Sequence, residues 1–258
     1  MIDGHVHIEH QPYTLELIQK MVDTAISKNV DELYILDHTH KFKEFNFLYT
    51  GLKEEKTIKW FEKERKSQVF LKNYIAFIKE VKSHEWPIKL HFGLEVCYFP
   101  EHQKEFEKAL EELFPFQFDF LIGSIHFVDG AAVDLSKEIY LTRDVDEFYR
   151  HYFDNLYSLV ESRYYTFVAH PDLFKLFDVF PSFDLRPYYE HFCELLIKYN
   201  QETENNSGSI RHGFPYPGVS PLLLEAFKEY GVKFHRSSDA HQYEDIGRVF
   251  DEIESSVD

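Results

Sequence analysis

Hydrophobic residues recur along this chain in two rhythms that take turns. Short apolar runs read as strands, where side chains alternate faces with a period of two. Apolar residues spaced three and four apart read as helices. Ile2–His7 is the first strand. Leu15, Ile18, Met21, Val22, Ala25 and Ile26 follow at helical spacing, and Thr14 stands where an N-cap belongs. A second strand at 33–36 ends on Asp37-His38. Residues 41–66 are charged and dotted with aromatics, and read as an inserted loop with short helical pieces. Phe70, Tyr74, Phe77, Ile78 and Val81 mark the next helix. A strand at 88–98 carries Glu95, a helix spans 101–114, and a strand at 118–127 carries His126. An aromatic-rich helix, Val145–Ser162, precedes a strand at 166–170 that Pro171 stops. The chain then alternates helix 188–199, a polar strand near 202–208, helix Pro221–Tyr230 and strand 232–239, and closes with Ala240-His241 and a short terminal helix.

About seven strand–helix units therefore follow one another with no Pro/Gly-rich linker, which predicts a single α/β domain over 1–258 with a parallel sheet covered by helices. A closed barrel suits the even rhythm, and its functional groups would sit at the C-terminal ends of the strands. An open doubly wound sheet is the alternative, but no Gly-rich phosphate loop follows the first strand.

Composition narrows the function. The 258 residues are 44% apolar, with 26 Phe and 17 Tyr, enough for a large aromatic core. A net charge of -17 argues against a nucleic-acid backbone or an anionic membrane as partner. It leaves room for a small phosphorylated substrate, since bound divalent cations reverse the local field. Cys97 and Cys193 are too few for a disulfide framework. The expectation is a cytoplasmic protein, with no secretory pattern at the start and no apolar run of ~18 residues.

Metal-competent residues fall repeatedly at strand ends: His5 and His7, His38, Glu95, His126, His170, and Asp239 with His241. On an extended strand Asp3, His5 and His7 share a face, so two imidazoles can grip one ion while the Asp fixes a tautomer. Each residue also has a plain structural use, such as a satisfied histidine, an ion pair or a helix cap. Glu95, however, lies in an apolar strand, where a carboxylate needs a partner or a metal. The mixed set suits zinc, manganese or iron better than calcium or magnesium.

These residues resemble the motifs of the polymerase-and-histidinol-phosphatase (PHP) superfamily. Asp3-Gly4-His5-Val6-His7, Asp37-His38, Gly93-Leu94-Glu95-Val96, Gly123-Ser124-Ile125-His126-Phe127, Ala169-His170-Pro171-Asp172 and Ser238-Asp239-Ala240-His241 are similar to its successive motifs. The resemblance implies a distorted seven-stranded (β/α)7 TIM-like barrel holding two or three divalent metal ions (Zn, Mn or Fe). His5, His7, Glu95 and Asp239 would bind one ion. Glu95 would bridge to a second, held by His126 and His170, while His38 and His241 would hold a third. The family often places a further third-ion ligand where this chain has Tyr13; His10 is nearer, and Glu9 or His40 could reach in.

Within the superfamily the likeness is to histidinol-phosphate phosphatases. Ser124-Ile125-His126-Phe127 with Asp129-Gly130 and Asp134, then Asn206-Ser207-Gly208-Ser209-Ile210-Arg211 and Tyr216-Pro217, resemble their stretches. Glu202-Thr203-Glu204 departs from the apolar strand usual there. The implied reaction is hydrolysis of L-histidinol phosphate by a hydroxide bridging the Glu95-linked ions, with Glu95 and Asp239 as central residues. Arg211 is the candidate phosphate clamp, or a plain loop arginine. Asp129 and Asp134 are candidates to receive the cationic end of the substrate, or turn formers. Asp172 is the candidate acid for the leaving group, or a brace for His170. Other readings are a hydrolase of a nucleotide, sugar phosphate or phosphopeptide, and a barrel that binds metal without catalysis. The 41–66 segment is either a wall of the pocket or a solvated excursion.

Overall fold

The computed structural model describes residues 1–9, 11–113 and 116–257. Strand β1 (Ile2–His7) leads to helix α1 (Leu15–Ser27), whose first turn is capped by the Thr14 hydroxyl accepting from the Leu17 N–H at 3.2 Å. Leu17, Ile18, Met21, Val22 and Ala25 are its buried face, the set that helical spacing marks out. Strand β2 (Glu32–His38) follows, then two 3-10 turns (Thr39–Lys41 and Lys43–Tyr49), α2 (Glu55–Glu64) and α3 (Leu71–Lys82). Next come β3 (Lys89–Cys97), α4 (Gln103–Glu111) and β4 (Phe120–Ser124). A small hairpin of β5 (Phe127–Val128) and β6 (Ala131–Ala132) turns through Asp129 and Gly130, both at positive φ. After α5 (Glu138–Leu141) and α6 (Val145–Ser162), the barrel resumes with β7 (Phe167–Val168), α7 (Arg186–Tyr199), β8 (Glu202–Asn206), α8 (Pro221–Tyr230) and β9 (Phe234–Ser237).

Seven strands form one sheet in the order β1-β2-β3-β4-β7-β8-β9, and every neighbouring pair is parallel. The sheet curls until its ends meet. A bridge between Val6 and Ala240, with the His7 N–H donating to the Ala240 carbonyl at 2.8 Å, nearly closes it. Below that bridge a side chain replaces the ladder. Asp3 Oδ1 accepts from the Ser238 N–H and Oδ2 from the Gly247 N–H, each at 2.9 Å. Burial pushes this carboxyl up to about 6 against the pull of those hydrogen bonds. Asp3 thus fastens the seam and does not stand behind a histidine ring.

Strand alternation divides the apolar residues in two. Val6, Ile35, Leu94 and Val168 face outward into the large cluster beneath the helices. Leu36, Phe120, Ile122, Phe167 and Ala169, with Tyr34 against them, form a smaller cluster that fills the barrel below its C-terminal mouth. The expected short terminal helix is only a 3-10 turn at Tyr243–Asp245. The β5–β6 hairpin and α5 fall in a stretch that periodicity reads as loop, because two-residue strands are too short to show a rhythm.

Segment 41–66 is a docked wall. Phe42, Phe45, Leu48, Tyr49 and Phe61 are buried. The N–H groups of Lys53 and Glu54 donate to the Gly130 carbonyl at 2.9 and 3.1 Å, and the Thr57 hydroxyl accepts from the Ala132 N–H at 2.9 Å. Among the described residues no helix is long and apolar enough to cross a membrane.

Candidate metal centre

The C-terminal mouth of the barrel gathers the strand-end residues around one carboxylate. Glu95, two residues from the end of β3, is wholly buried. Its two oxygens face different partners. Oε2 lies 3.1 Å from His5 Nε2, 3.2 Å from His7 Nε2 and 3.1 Å from His38 Nδ1. Oε1 lies 3.0 Å from His170 Nε2 and 3.5 Å from His126 Nε2. Burial alone would raise the Glu95 carboxyl, but the imidazoles of His38, His5 and His126 hold it well below the usual range.

Two of the residues at the mouth sit in backbone conformations that side chains disfavour. His170 has φ 24° and Asp239 has φ 51°. Strain of this kind persists where surrounding contacts fix it, and functional sites concentrate it. Asp239 Oδ1 lies 3.3 Å from His7 Nε2, 4.0 Å from His5 Nε2 and 3.3 Å from Arg211 Nη2. Its carboxyl is buried, which would raise it, yet Arg211, His5 and His7 hold it well below normal.

On the far side of His7 a second group converges. Glu9 Oε1 is 3.3 Å from His241 Nε2 and 3.8 Å from His38 Nε2, and Oε2 is 3.5 Å from His7 Nδ1. Glu9 therefore takes the corner for which Tyr13 is the sequence counterpart. Tyr13 turns away and donates its hydroxyl to Asp37. His40 stacks on His38 with ring centroids 4.7 Å apart and does not approach Glu9 within ion-pair distance. Burial pulls its imidazole down to about 3. His10 lies outside the described residues.

The donor set fits divalent ions. The His5 and His7 Nε2 atoms are 2.9 Å apart, and the structure brings His5, His7 and Glu95 ligand atoms within 4.8 Å of one another. Two nitrogens bound tetrahedrally to one zinc would stand about 3.3 Å apart, given Zn–N of about 2.05 Å. Buried polar atoms left without hydrogen bonds sit in the same place: His7 Nδ1, Glu9 Oε2, His38 Nδ1 and His170 Nδ1. Buried polar groups left this poorly paired, in a cluster of imidazoles and carboxylates, mark a site built for something besides its own side chains.

A cavity of about 340 Å³ opens above this cluster. His38, Glu95, His126, His170, Asp239 and His241 line it, together with Arg211. Asp172 also reaches it, but both its oxygens are engaged. They accept from Lys175 Nζ at 3.0 and 3.1 Å, and Oδ2 accepts from the Ser220 N–H at 2.6 Å. Lys175 Nζ donates further to the Gly218 carbonyl at 2.5 Å. Asp172 is thus an acceptor locked in a buried ion pair, which leaves it ill suited to donate a proton. Asp129 is displaced altogether. It sits at the hairpin turn, half-exposed, paired with His151 Nδ1 at 2.8 Å. Asp134 reaches the cavity instead, with Oδ2 4.0 Å from His126 Nε2. A smaller cavity of about 170 Å³ adjoins, lined by His40, Trp60, Cys97 and Phe127 besides the shared His38, His126 and Asp134.

One carboxylate went unrecognised in the sequence. Glu204, on β8, is buried against His5 Nδ1 with both oxygens at 3.2 Å. Its signal was there: β8 runs Glu-Thr-Glu-Asn-Asn, and alternation puts Glu204 and Asn206 on the face that points inward.

The model of the PHP domain matches residues 3–210. The chain belongs to the PHP domain family. The matched span of this PHP domain ends just before Arg211 and does not reach Asp239 or His241. Residues of the chain are 28% identical over 184 positions to the "Probable histidinol-phosphatase" of Deinococcus radiodurans, covering 70% of this chain and 68% of that protein. Two solved structures share the fold. The "putative histidinol phosphatase hisK" of Listeria monocytogenes superposes with a TM-score of 0.73 at 21% identity, over 97% of this chain and 99% of that one. The histidinol phosphate phosphatase of Lactococcus lactis, solved with zinc, L-histidinol and phosphate, gives 0.66 at 20% identity, over 94% and 86%.

Proposed function

We propose that this PHP domain is a metal-dependent phosphomonoesterase and that its substrate is L-histidinol phosphate, hydrolysed to L-histidinol and phosphate. The observation that carries the reading is Glu95, a buried carboxylate whose two oxygens face two separate sets of imidazoles at the floor of a cavity walled by Arg211. The histidinol-phosphatase names of its relatives supply the substrate.

His5, His7, Glu95 and Asp239 would hold one ion, and Glu95, His126 and His170 a second. His38 Nε2, His241 Nε2 and Glu9 Oε1 would hold a third, with Glu9 in the role that Tyr13 cannot fill. Zinc, manganese and iron all suit this nitrogen and oxygen set. When bound, such ions polarise phosphoryl oxygens and bring the pKa of coordinated water to about 7.

The chain's own residues do the rest. Arg211 lines the cavity with Nη1 against His241 and Nη2 3.3 Å from Asp239 Oδ1, which sets a guanidinium beside the ion positions to receive a phosphoryl oxygen. Asp239 Oδ1 faces the same space between His7 Nε2 and Arg211, where the carboxylate would help hold an ion and orient the attacking water. The Asp172–Lys175 pair holds the segment after His170 against Gly218 and Ser220 and keeps the cavity wall in place. Asp134, at the junction of the two cavities, is the carboxylate positioned for the cationic end of the alcohol.

Phosphate release from L-histidinol phosphate, with protein loaded with Zn²⁺, Mn²⁺ or Fe²⁺, tests the proposal. An aryl phosphate and a nucleotide monophosphate serve as comparisons. A marked preference for histidinol phosphate, abolished in Glu95→Ala, is the expected result. Equal turnover of all three esters would keep the chemistry and reject the substrate. No turnover with any of the metals would reject both.

A further inference from the structure

We infer that Glu204 is the positioning residue that fixes His5 in its metal-binding tautomer and ties the two Glu95-linked ion positions together. The inference rests on His5 and His170 being ion ligands, and not on the identity of the substrate.

Three donors converge on this one buried carboxylate. His5 Nδ1 approaches both oxygens at 3.2 Å. The backbone N–H of His170 donates to Oε1 at 2.8 Å, and Asn206 Nδ2 donates to the same atom at 2.7 Å. A carboxylate has acceptor sites for all three, and no proton of its own to oppose them.

The consequence for His5 is directional. An Nδ1 that donates to Glu204 carries the proton of the neutral ring, so Nε2 presents its lone pair. That Nε2 is the atom 2.9 Å from His7 Nε2 and 3.1 Å from Glu95 Oε2. The carboxylate expected to do this from sequence, Asp3, is committed to Ser238 and Gly247 at the seam.

The consequence for His170 is conformational. With φ 24°, its backbone needs an outside hold, and Glu204 grips its N–H while Nε2 faces Glu95 Oε1 at 3.0 Å. Asn206 extends the link. Its Oδ1 accepts from the Gly208 N–H at 2.7 Å, next to Asp239. Glu204 lines neither cavity, so it acts through these neighbours and does not touch substrate.

Glu204→Gln is the informative change. The amide offers one acceptor oxygen to three donors and turns an NH₂ toward one of them. The measurement is Zn²⁺ affinity by competition with a chromogenic chelator, beside kcat and KM at saturating Zn²⁺. Loss of an outer partner of a metal-ligating histidine typically costs about 10–100-fold in metal affinity. That loss is expected for Glu204→Gln, with KM for the phosphate ester within about twofold of wild type and Glu204→Asp falling between. Glu204→Gln protein with native circular dichroism and wild-type Zn²⁺ affinity would overturn the inference. A second measurement needs no variant: long-range ¹⁵N–¹H NMR of the His5 ring in the zinc-loaded wild type. Nδ1 protonated and Nε2 unprotonated, with the shift of a metal-bound nitrogen, is the expected pattern, and a proton on Nε2 with Nδ1 unprotonated would overturn it. Both readouts stand even if histidinol phosphate proves not to be the substrate.

Discussion

Adding a single methyl group at Gly208 probes how tightly the candidate site is set. Gly208 opens the 3-10 turn Gly208–His212 that follows β8. A Cβ built on it would stand 2.6 Å from Asp239 Oδ2, 2.9 Å from Asp239 Cβ and 2.8 Å from Asn206 Oδ1. These distances are about 0.6–0.9 Å inside the ~3.5 Å of ordinary contact, so something must move. The barrel strands cannot yield readily, and Asp239 already holds φ 51°. Gly208→Ala should therefore displace the Asp239 carboxylate by a good fraction of an ångström. Overpacking of this kind costs about 1–3 kcal/mol of stability, a few degrees in Tm for a chain of this size. The activity cost should be larger, about 10–100-fold in kcat, because misplacing a reacting group by ~1 Å loses that much. Gly213, which ends the same turn, is the control. It has φ 77°, and its Cβ would meet nothing within 4 Å. Gly213→Ala should cost about 1–2 kcal/mol of backbone strain and leave kcat near wild type. Phosphate-release kinetics and thermal melts on both variants decide the matter. Wild-type kcat in Gly208→Ala, or equal damage from the two substitutions, would refute the argument that Gly208 exists to make room for Asp239.

Three further outcomes follow from other parts of the structure. Lys175→Met strands the Asp172 carboxylate in a buried place and should destabilise the protein by about 3–5 kcal/mol in urea titration. Asp172→Asn should then lower stability together with activity, whereas lost activity at unchanged stability would restore Asp172 as the acid. Gly130→Ala would drive a methyl to 2.6 Å from the Gly51 carbonyl at a φ of 76°. It should loosen the 41–66 wall and speed limited proteolysis within those residues, and an unchanged cleavage pattern would show that the hairpin does not hold the wall.

The fold was legible because its signals are local. β1, α6 and α8 begin and end where apolar spacing puts them, and even the polar β8 falls at its expected place. The strand-end histidines were legible too, since a barrel brings every strand terminus to one mouth. What sequence could not supply was pairing across the barrel. Asp3 shares a strand face with His5, but whether it meets a ring or a backbone N–H depends on β9, more than 200 residues away. Glu204 departs from the apolar strand usual at its place, and only the closed barrel sets His5 against it. Asp129 and Asp134 are equivalent as turn formers in sequence. The positive φ at Asp129 and Gly130 tips the first onto the surface and the second into the cavity. Glu9 and Tyr13 differ in the same way, because only the turn after β1 decides which of them meets His241.

The seam between β1 and β9 bears on the order of events during synthesis. His5 and His7 leave the ribosome before the rest of the cluster, and Asp239 and His241 come more than 230 positions later. Until that last strand emerges, the early histidines face Glu95 across a barrel with no final wall, and Asp3 has no Ser238 to hold. Contacts of such long sequence separation are the slowest to form in a domain. A chain that lacks this last strand therefore lacks Asp239 and His241, and with them the full ion cluster. Metal capture would then serve as a late checkpoint that distinguishes finished molecules from unfinished ones.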